Sequence, residues 1–263
     1  MACKNLIDKY KYSIKCLSHQ KHKMDKILLF IPCLNAEKTI TSVLDRIRKL
    51  NFHYNLLIVD NNSPDDTLKK IEEYKQKNNF TNCTIIKNIR NIGYGGSQKV
   101  ALGYGIHNNY DYLIVLHADG QYPIEYSDKL IQAIKNSKSA LVVGSRVAFK
   151  NVKKSMPKWR YFGNKILSGF DRWAYNLKLS EFHSEFRIYD LKFMDKIDMN
   201  KWGNHDSFTL HSLLSISSNG GKIKEIPIPC LYHKDAHHPP TLNLIWYAMY
   251  TFYRGFIYKI FRR

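Results

Sequence analysis

The residues best suited to chemistry lie in HADGQ, where Asp119 follows an apolar run and is flanked at two-residue spacing by His117 and Gln121. A carboxylate with an imidazole and an amide to either side can turn toward one divalent cation that bridges a diphosphate. Mg2+ takes few protein ligands besides substrate phosphates, and Mn2+ tolerates a ring nitrogen. The same residues also make a strand-end turn in which Gly120 supplies positive φ. A second carboxylate, Asp60, closes the run NLLIV and is followed by Asn61, Asn62 and Ser63. It can accept from a base N–H or a ribose hydroxyl, or it can satisfy its own turn.

Other groups carry weaker signals. NIGYGGSQK lacks the GxxxxGK spacing of a P-loop and the GxGxxG of a dinucleotide fold. Its glycines either admit a nucleotide to the backbone or pack a helix against a sheet. His183, His205, His211, His233, His237 and His238 crowd the second half without an HExxH pattern.

These residues need a scaffold, and the sequence provides one from Lys26 onward. ILLFIPCL, NLLIVD, CTIIKN and DYLIVLHAD are short apolar runs of the kind buried parallel strands require. Between them lie helical patterns, first with Ile40, Val43, Leu44 and Ile47 on one face, then TLKKIEEYKQK with Asp66 or Thr67 as its cap. The alternation predicts a doubly wound α/β sheet, whose ligands bind beyond the carboxyl ends of the strands. Those ends carry Asn35 and Glu37, Asp60 to Asn62, Arg90 to Gly93, and His117 to Gln121. Farther along come a strand in ALVVGSRV, a helix from about Lys158, the segment LSEFHSEFRIYD, a helix through Leu213 and a strand in GKIKEIPIPCLY.

No Pro-, Gly- or Ser-rich linker divides the 263 residues, so residues 26–238 form one domain, with a basic extension over 1–25 and an aromatic, basic helix over 239–263. The formal charge of +19 favours an anionic partner, although scattered lysines also follow from an AT-rich coding sequence. No finger spacing or aromatic RNP-type strand indicates nucleic acid. Five cysteines without a CxxC pair argue against a disulfide framework and for a reducing, cytoplasmic setting. The first 24 residues are broken by charge every few positions and offer no signal-peptide core.

Taken in order, the segments resemble the family 2 glycosyltransferases, close to the dolichyl-phosphate mannose synthase-like branch. IPCLNAEKTI is similar to the opening P-x-x-N-E-x-x-x-I, with Ala36 where the family often has Glu. IVDNNSPDDT is similar to V-D-D-G-S-x-D-x-T, NIGYGGSQKVALGYG resembles the next motif, and LHADGQYP takes the place of D-A-D-x-Q. The likeness runs through VVGSR, MPKWRYFGNKIL, LSEFHSEFRIYD and KIKEIPIPCLY, about residues 26 to 235.

The resemblance implies a GT-A fold, a single Rossmann-like, mostly parallel sheet flanked by helices. It implies inverting transfer of a sugar from a nucleoside-diphosphate donor, UDP favoured, to a glycan or polyprenyl-phosphate acceptor. Carried over residue by residue, it implies a donor site of Pro32, Leu34, Asn35, Glu37, Asp60, Asn62, Asn91, Gly93, Gln98, His117, Ala118 and Arg187. A Mn2+ or Mg2+ ion would sit at Asp119 and Gln121, with His237 or His238 returning late in the chain. Asp119, Glu181 and Asp206 are the catalytic candidates; a base is required only if the acceptor is a hydroxyl, because a lipid phosphate is already an anion.

Three departures stand out: His117 replaces the first acid of D-x-D, Glu185 stands where the family has Gly in S-G-F-R, and FTLHSLL with His211 replaces F-D-x-E. They motivate an alternative, a non-catalytic nucleotide-sugar or carbohydrate-binding protein with a decayed metal site. A nucleotidyltransferase would need a glycine-rich basic loop that IPCLNAEKT lacks.

The tail TLNLIWYAMYTFYRGFIYKIFRR reads as an interfacial helix, its aromatics at the headgroup boundary and Arg254, Lys259, Arg262 and Arg263 meeting anionic lipid. The other reading is a helix packed on the domain or in a homodimer interface.

Overall fold

The computed structural model describes residues 25–150, 152, 156–205, 207–231 and 241–261. Residues 1–24, Asp206, the HKDAHHPP segment with His233, His237 and His238, and Arg262 and Arg263 lie outside the described residues.

β1 (Ile27–Cys33), β2 (Asn55–Asp60), β3 (Cys83–Lys87) and β4 (Tyr112–Val115) are parallel, in the order β3-β2-β1-β4. Alternate strand residues point to opposite faces, and both faces are covered. Leu29, Ile31 and Ile58 pack beneath α1 (Ile40–Ile47), through its residues Ile40, Val43, Leu44 and Ile47. Leu28, Phe30, Leu57 and Val59 pack against Val100, Ala101 and Leu102 of α3 (Tyr94–His107). Burial on both faces is why these strands read as unbroken apolar runs. α2 (Thr67–Lys77) starts after Asp66, which makes no capping bond with its side chain; Asp65 instead accepts from the Thr67 N–H (3.2 Å) and hydroxyl (2.6 Å).

After α4 (Ser127–Ser137) the sheet continues with β5 (Leu141–Ser145), β6 (Arg187–Asp190) and β7 (Ile223–Pro227), giving the order β3-β2-β1-β4-β6-β5-β7 among the described residues. β6 lies between β4 and β5 and runs antiparallel to both. The periodicity of LSEFHSEFRIYD did not single out this strand, because four residues are too few to show a period and the pairing comes from distant neighbours. Its reversed direction brings its start to the carboxyl ends of its partners: Arg187 pairs with Val115 and with Val143.

The remaining helices are α5 (Lys158–Tyr175), α6 (Leu191–Met194), α7 (Ser207–Ser218) and α8 (Thr241–Phe261). α5 begins at the expected residue, and α7 runs one turn beyond Leu213. α8 packs along α5, with Phe170 beside Phe252 and Tyr175 beside Tyr258 at ring separations of 4.7 and 5.0 Å.

Candidate functional site

The first two strand ends are tied to one another. Asp60 is fully buried, and its carboxylate accepts the Ser63 N–H at 3.3 Å. Asn61 next to it acts as a bolt. Its N–H donates to the Cys33 carbonyl, its amide oxygen accepts from Asn88 Nδ2 and the Ile92 N–H, and its Nδ2 donates to Asn91. Asn91 Oδ1 also accepts the Gly93 N–H at 2.9 Å. Asn35 and Asn62 both take left-handed backbone, at φ 53° and 62°, which asparagine tolerates better than most residues. Glu37 accepts the Asp66 N–H, and the Asn35 N–H donates to Ser63, so the two turns clasp each other. Of the expected donor residues, Asn91 and Glu37 spend hydrogen bonds on this framework, Pro32 is half-buried beside it, and Leu34, Asn35 and Asn62 are exposed on its rim.

The glycines of NIGYGGSQK pack a helix. A Cβ on Gly93, at φ 78°, would collide with the Asn204 carbonyl, and one on Gly95 would meet Phe208 and the Gly203 carbonyl. The start of α3 is thereby pressed onto Gly203, Asn204 and Phe208, and Lys99 ties it there too by donating to the Trp202 carbonyl (2.5 Å) and Asn204 Oδ1 (2.8 Å). Gly93→Ala therefore combines left-handed strain with a backbone clash, and is expected to cost about 2–3 kcal/mol, measured by urea unfolding; a change within experimental error would contradict the packing. Gln98 is buried, and its Oε1 has no hydrogen-bond partner among the described residues.

At the end of β4, Ala118 is buried and Asp119 is half-buried, its Oδ1 accepting the Gln121 N–H at 3.1 Å; Gly120 has φ 70°. Arg46 braces this turn from α1 through the Gly120 and Tyr122 carbonyls and the Glu125 carboxylate. His117 lies between the rings of Tyr94 and Tyr122. Its Nε2 is 3.1 Å from the Tyr94 hydroxyl and 3.4 Å from Glu185, whose other oxygen accepts from Thr209 at 2.6 Å. Burial first, and then the Glu185 carboxylate, push the Tyr94 phenol well above its ordinary pKa, so it stays a donor. The histidine in place of one acid thus meets an acid in place of a glycine. Sequence spacing gave no hint of that pairing.

Glu181 is fully buried. Its oxygens accept from the backbone N–H groups of Arg146 (2.6 Å) and Val147 (3.2 Å) and from the Arg146 Nε (2.8 Å), with Arg146 Nη2 closing a second ion-pair contact. Arg146, at the end of β5, is held there over the Tyr122 ring; the strand-end position of VVGSR was the available signal for it. Arg187 is buried with Ser184, Thr209, Ser212 and Phe182 as its acceptors, so it organises the 182–184 loop from within the protein. His211 Nδ1 accepts the Gly203 N–H, and burial holds this imidazole below its ordinary pKa.

Among the described residues, no three His, Cys, Asp or Glu side chains come close enough to enclose a metal ion. A single carboxylate at the Asp119 turn fits a cation held mainly by substrate phosphates and water.

The strand order, parallel but for β6, is that of a GT-A fold, and solved structures share the architecture. Glucosyl-3-phosphoglycerate synthase from Mycobacterium tuberculosis, in complex with phosphoglyceric acid, superposes with a TM-score of 0.64 at 14% identity, covering 89% of this chain and 80% of that one. The same enzyme with Mn2+, UDP and phosphoglyceric acid gives 0.62 at 13% identity, covering 89% and 78%. The family model for glycosyl transferase family 2 matches residues 29–208, and the chain belongs to that family, as a glycosyltransferase. It is 28% identical over 247 residues to the UDP-N-acetylglucosamine–dolichyl-phosphate N-acetylglucosaminyltransferase of Methanococcus voltae, covering 90% of this chain and 97% of the relative. To the polyprenol monophosphomannose synthase of Mycolicibacterium smegmatis it is 21% identical over 204 residues, covering 77% and 76%.

Proposed function

We propose that the chain transfers a sugar from a UDP-sugar to a polyprenyl phosphate with inversion at the anomeric carbon, aided by Mn2+ or Mg2+. The observation that carries this reading is the placement of Asp60 and Asp119 at the carboxyl ends of β2 and β4, the strands on either side of β1, in a chain that matches a dolichyl-phosphate transferase over nearly the full length of both. Asp60 receives the base or ribose, and the 117–121 turn receives the diphosphate. A divalent cation, when bound, offsets charge on the leaving diphosphate, and Asp119 is the residue that would hold it. The acceptor's phosphate oxygen attacks from the face opposite the diphosphate, forming the new C–O bond as the bond to UDP breaks. Because that oxygen is already anionic, the step needs no base. Arg146, fixed by Glu181 at the end of β5, is the cation placed to orient the acceptor phosphate. The acceptor's lipid tail brings the reaction to a membrane surface, where α8 is suited to make contact.

The test is an extraction assay with labelled UDP-N-acetylglucosamine and other UDP- and GDP-sugars, Mn2+ and a polyprenyl phosphate. Label should enter the organic phase with one donor and be released by mild acid. Absence of organic label with every donor, alongside transfer to a soluble glycan, would replace the acceptor assignment.

A further inference from the structure

We infer that α5 and α8 together form one docking surface for an anionic lipid membrane. The inference deepens the lipid-acceptor reading above and rests on it for its purpose, though not for its physical argument.

α8 exposes Trp246, Met249, Tyr253, Phe256 and Ile260, a stripe at spacings of three, four and seven that follows one helix face. Its buried side, with Thr251 and Gly255, is turned inward. α5 repeats the design with Trp159, Phe162, Ile166 and Trp173, all more than half exposed. The contacts pair Phe170 with Phe252, Trp173 with Lys259 and Tyr175 with Tyr258, so the two helices run in the same direction. With that registry, both stripes fall on the same side of the pair. Lys259 joins them, donating to the Trp173 carbonyl and lying 5.3 Å from its ring.

The charges decide what this face meets. Lys158, Lys165 and Arg172 flank the α5 stripe and Lys259 that of α8, all four exposed, while Arg254, also exposed, lies near Tyr175. The one acid in either helix, Asp171, is fully buried. An aromatic stripe bordered by cations alone matches the headgroup boundary of an anionic leaflet, whereas a second copy of this chain, at a formal charge of +19, would bring like charges against it. Among the described residues no helix is long and apolar enough to cross a membrane, so contact is peripheral.

The surface is also wired to the acceptor side of the site. Asp171 lies 2.9 Å from His183 Nε2, off the line of a hydrogen bond, and His183 Nδ1 is 2.8 Å from the Tyr247 hydroxyl of α8. His183 belongs to the loop between Glu181 and Glu185, so the membrane-facing pair carries that loop directly.

The test is sedimentation of the full chain with phosphatidylcholine vesicles, with or without phosphatidylglycerol, in the absence of donor and acceptor. Binding should require phosphatidylglycerol and weaken with salt. Trp159→Ser with Phe162→Ser, confined to exposed positions of α5, should weaken it by about tenfold or more without changing thermal unfolding. No binding, equal binding to both vesicle types, or wild-type binding by the α5 double variant would overturn the proposal. So would a dimer in light scattering that this variant dissociates, because a second copy would then own the face. Vesicle binding without lipid-phosphate transfer would sink the acceptor assignment and leave this surface standing.

Discussion

Asp119→Asn is expected to lower sugar transfer by about 10²–10³-fold, the scale on which removal of one oriented electrostatic group acts at a developing charge. The substitution keeps the side chain's shape and an oxygen able to accept the Gln121 N–H, so the turn braced by Arg46 should survive. What disappears is the one negative charge in HADGQ, and with it the anchor for a cation on the diphosphate. Thermal unfolding should move by no more than a few degrees, and calorimetry with UDP and Mn2+ should show the metal-dependent part of binding gone. Unchanged metal-dependent affinity would show that the cation is held by other groups and would remove the Asp119 assignment.

Glu181→Gln should act on the fold. Removing one partner of a buried ion pair leaves the other charge uncompensated, at a cost of about 3–5 kcal/mol. For a chain of this size that lowers Tm by roughly 10 °C. Gln also presents an amide donor toward the backbone N–H groups of Arg146 and Val147, where Glu181 now accepts. Urea unfolding and single-turnover transfer separate the two roles open to this residue. As the brace of Arg146 it should lose stability, and acceptor KM should rise more than kcat falls. Full stability with a large fall in kcat that higher pH relieves would instead identify Glu181 as a base for a hydroxyl acceptor.

Much of the frame could be read from residue order alone. ILLFIP and NLLIV are buried on both faces, so they form apolar runs that need no partner to be recognised, and a carboxylate closing such a run marks the carboxyl edge of the sheet. The strand-end positions of Asp60 and Asp119 were legible for that reason, and so was α1, whose four buried residues repeat with the helical period. Helix and strand periods are local properties, written within a few residues of each other.

Tertiary structure decided the matters that depend on a partner from elsewhere in the chain. The glycines of NIGYGGSQK fitted two readings until Gly93 and Gly95 met the backbone of Gly203 and Asn204. Arg187 carried a donor-site expectation, yet it is buried against its own loop, because residue type does not reveal whether a guanidinium's acceptors are protein or ligand. β6 exists because β4 and β5 leave a gap that four residues can fill. Its antiparallel entry brings Glu185 to His117, and that proximity is set by strand direction, which no local pattern encodes. The tail was legible as aromatic and basic; that α5 lies beside it with a matching stripe followed only from the packing of Phe170 on Phe252.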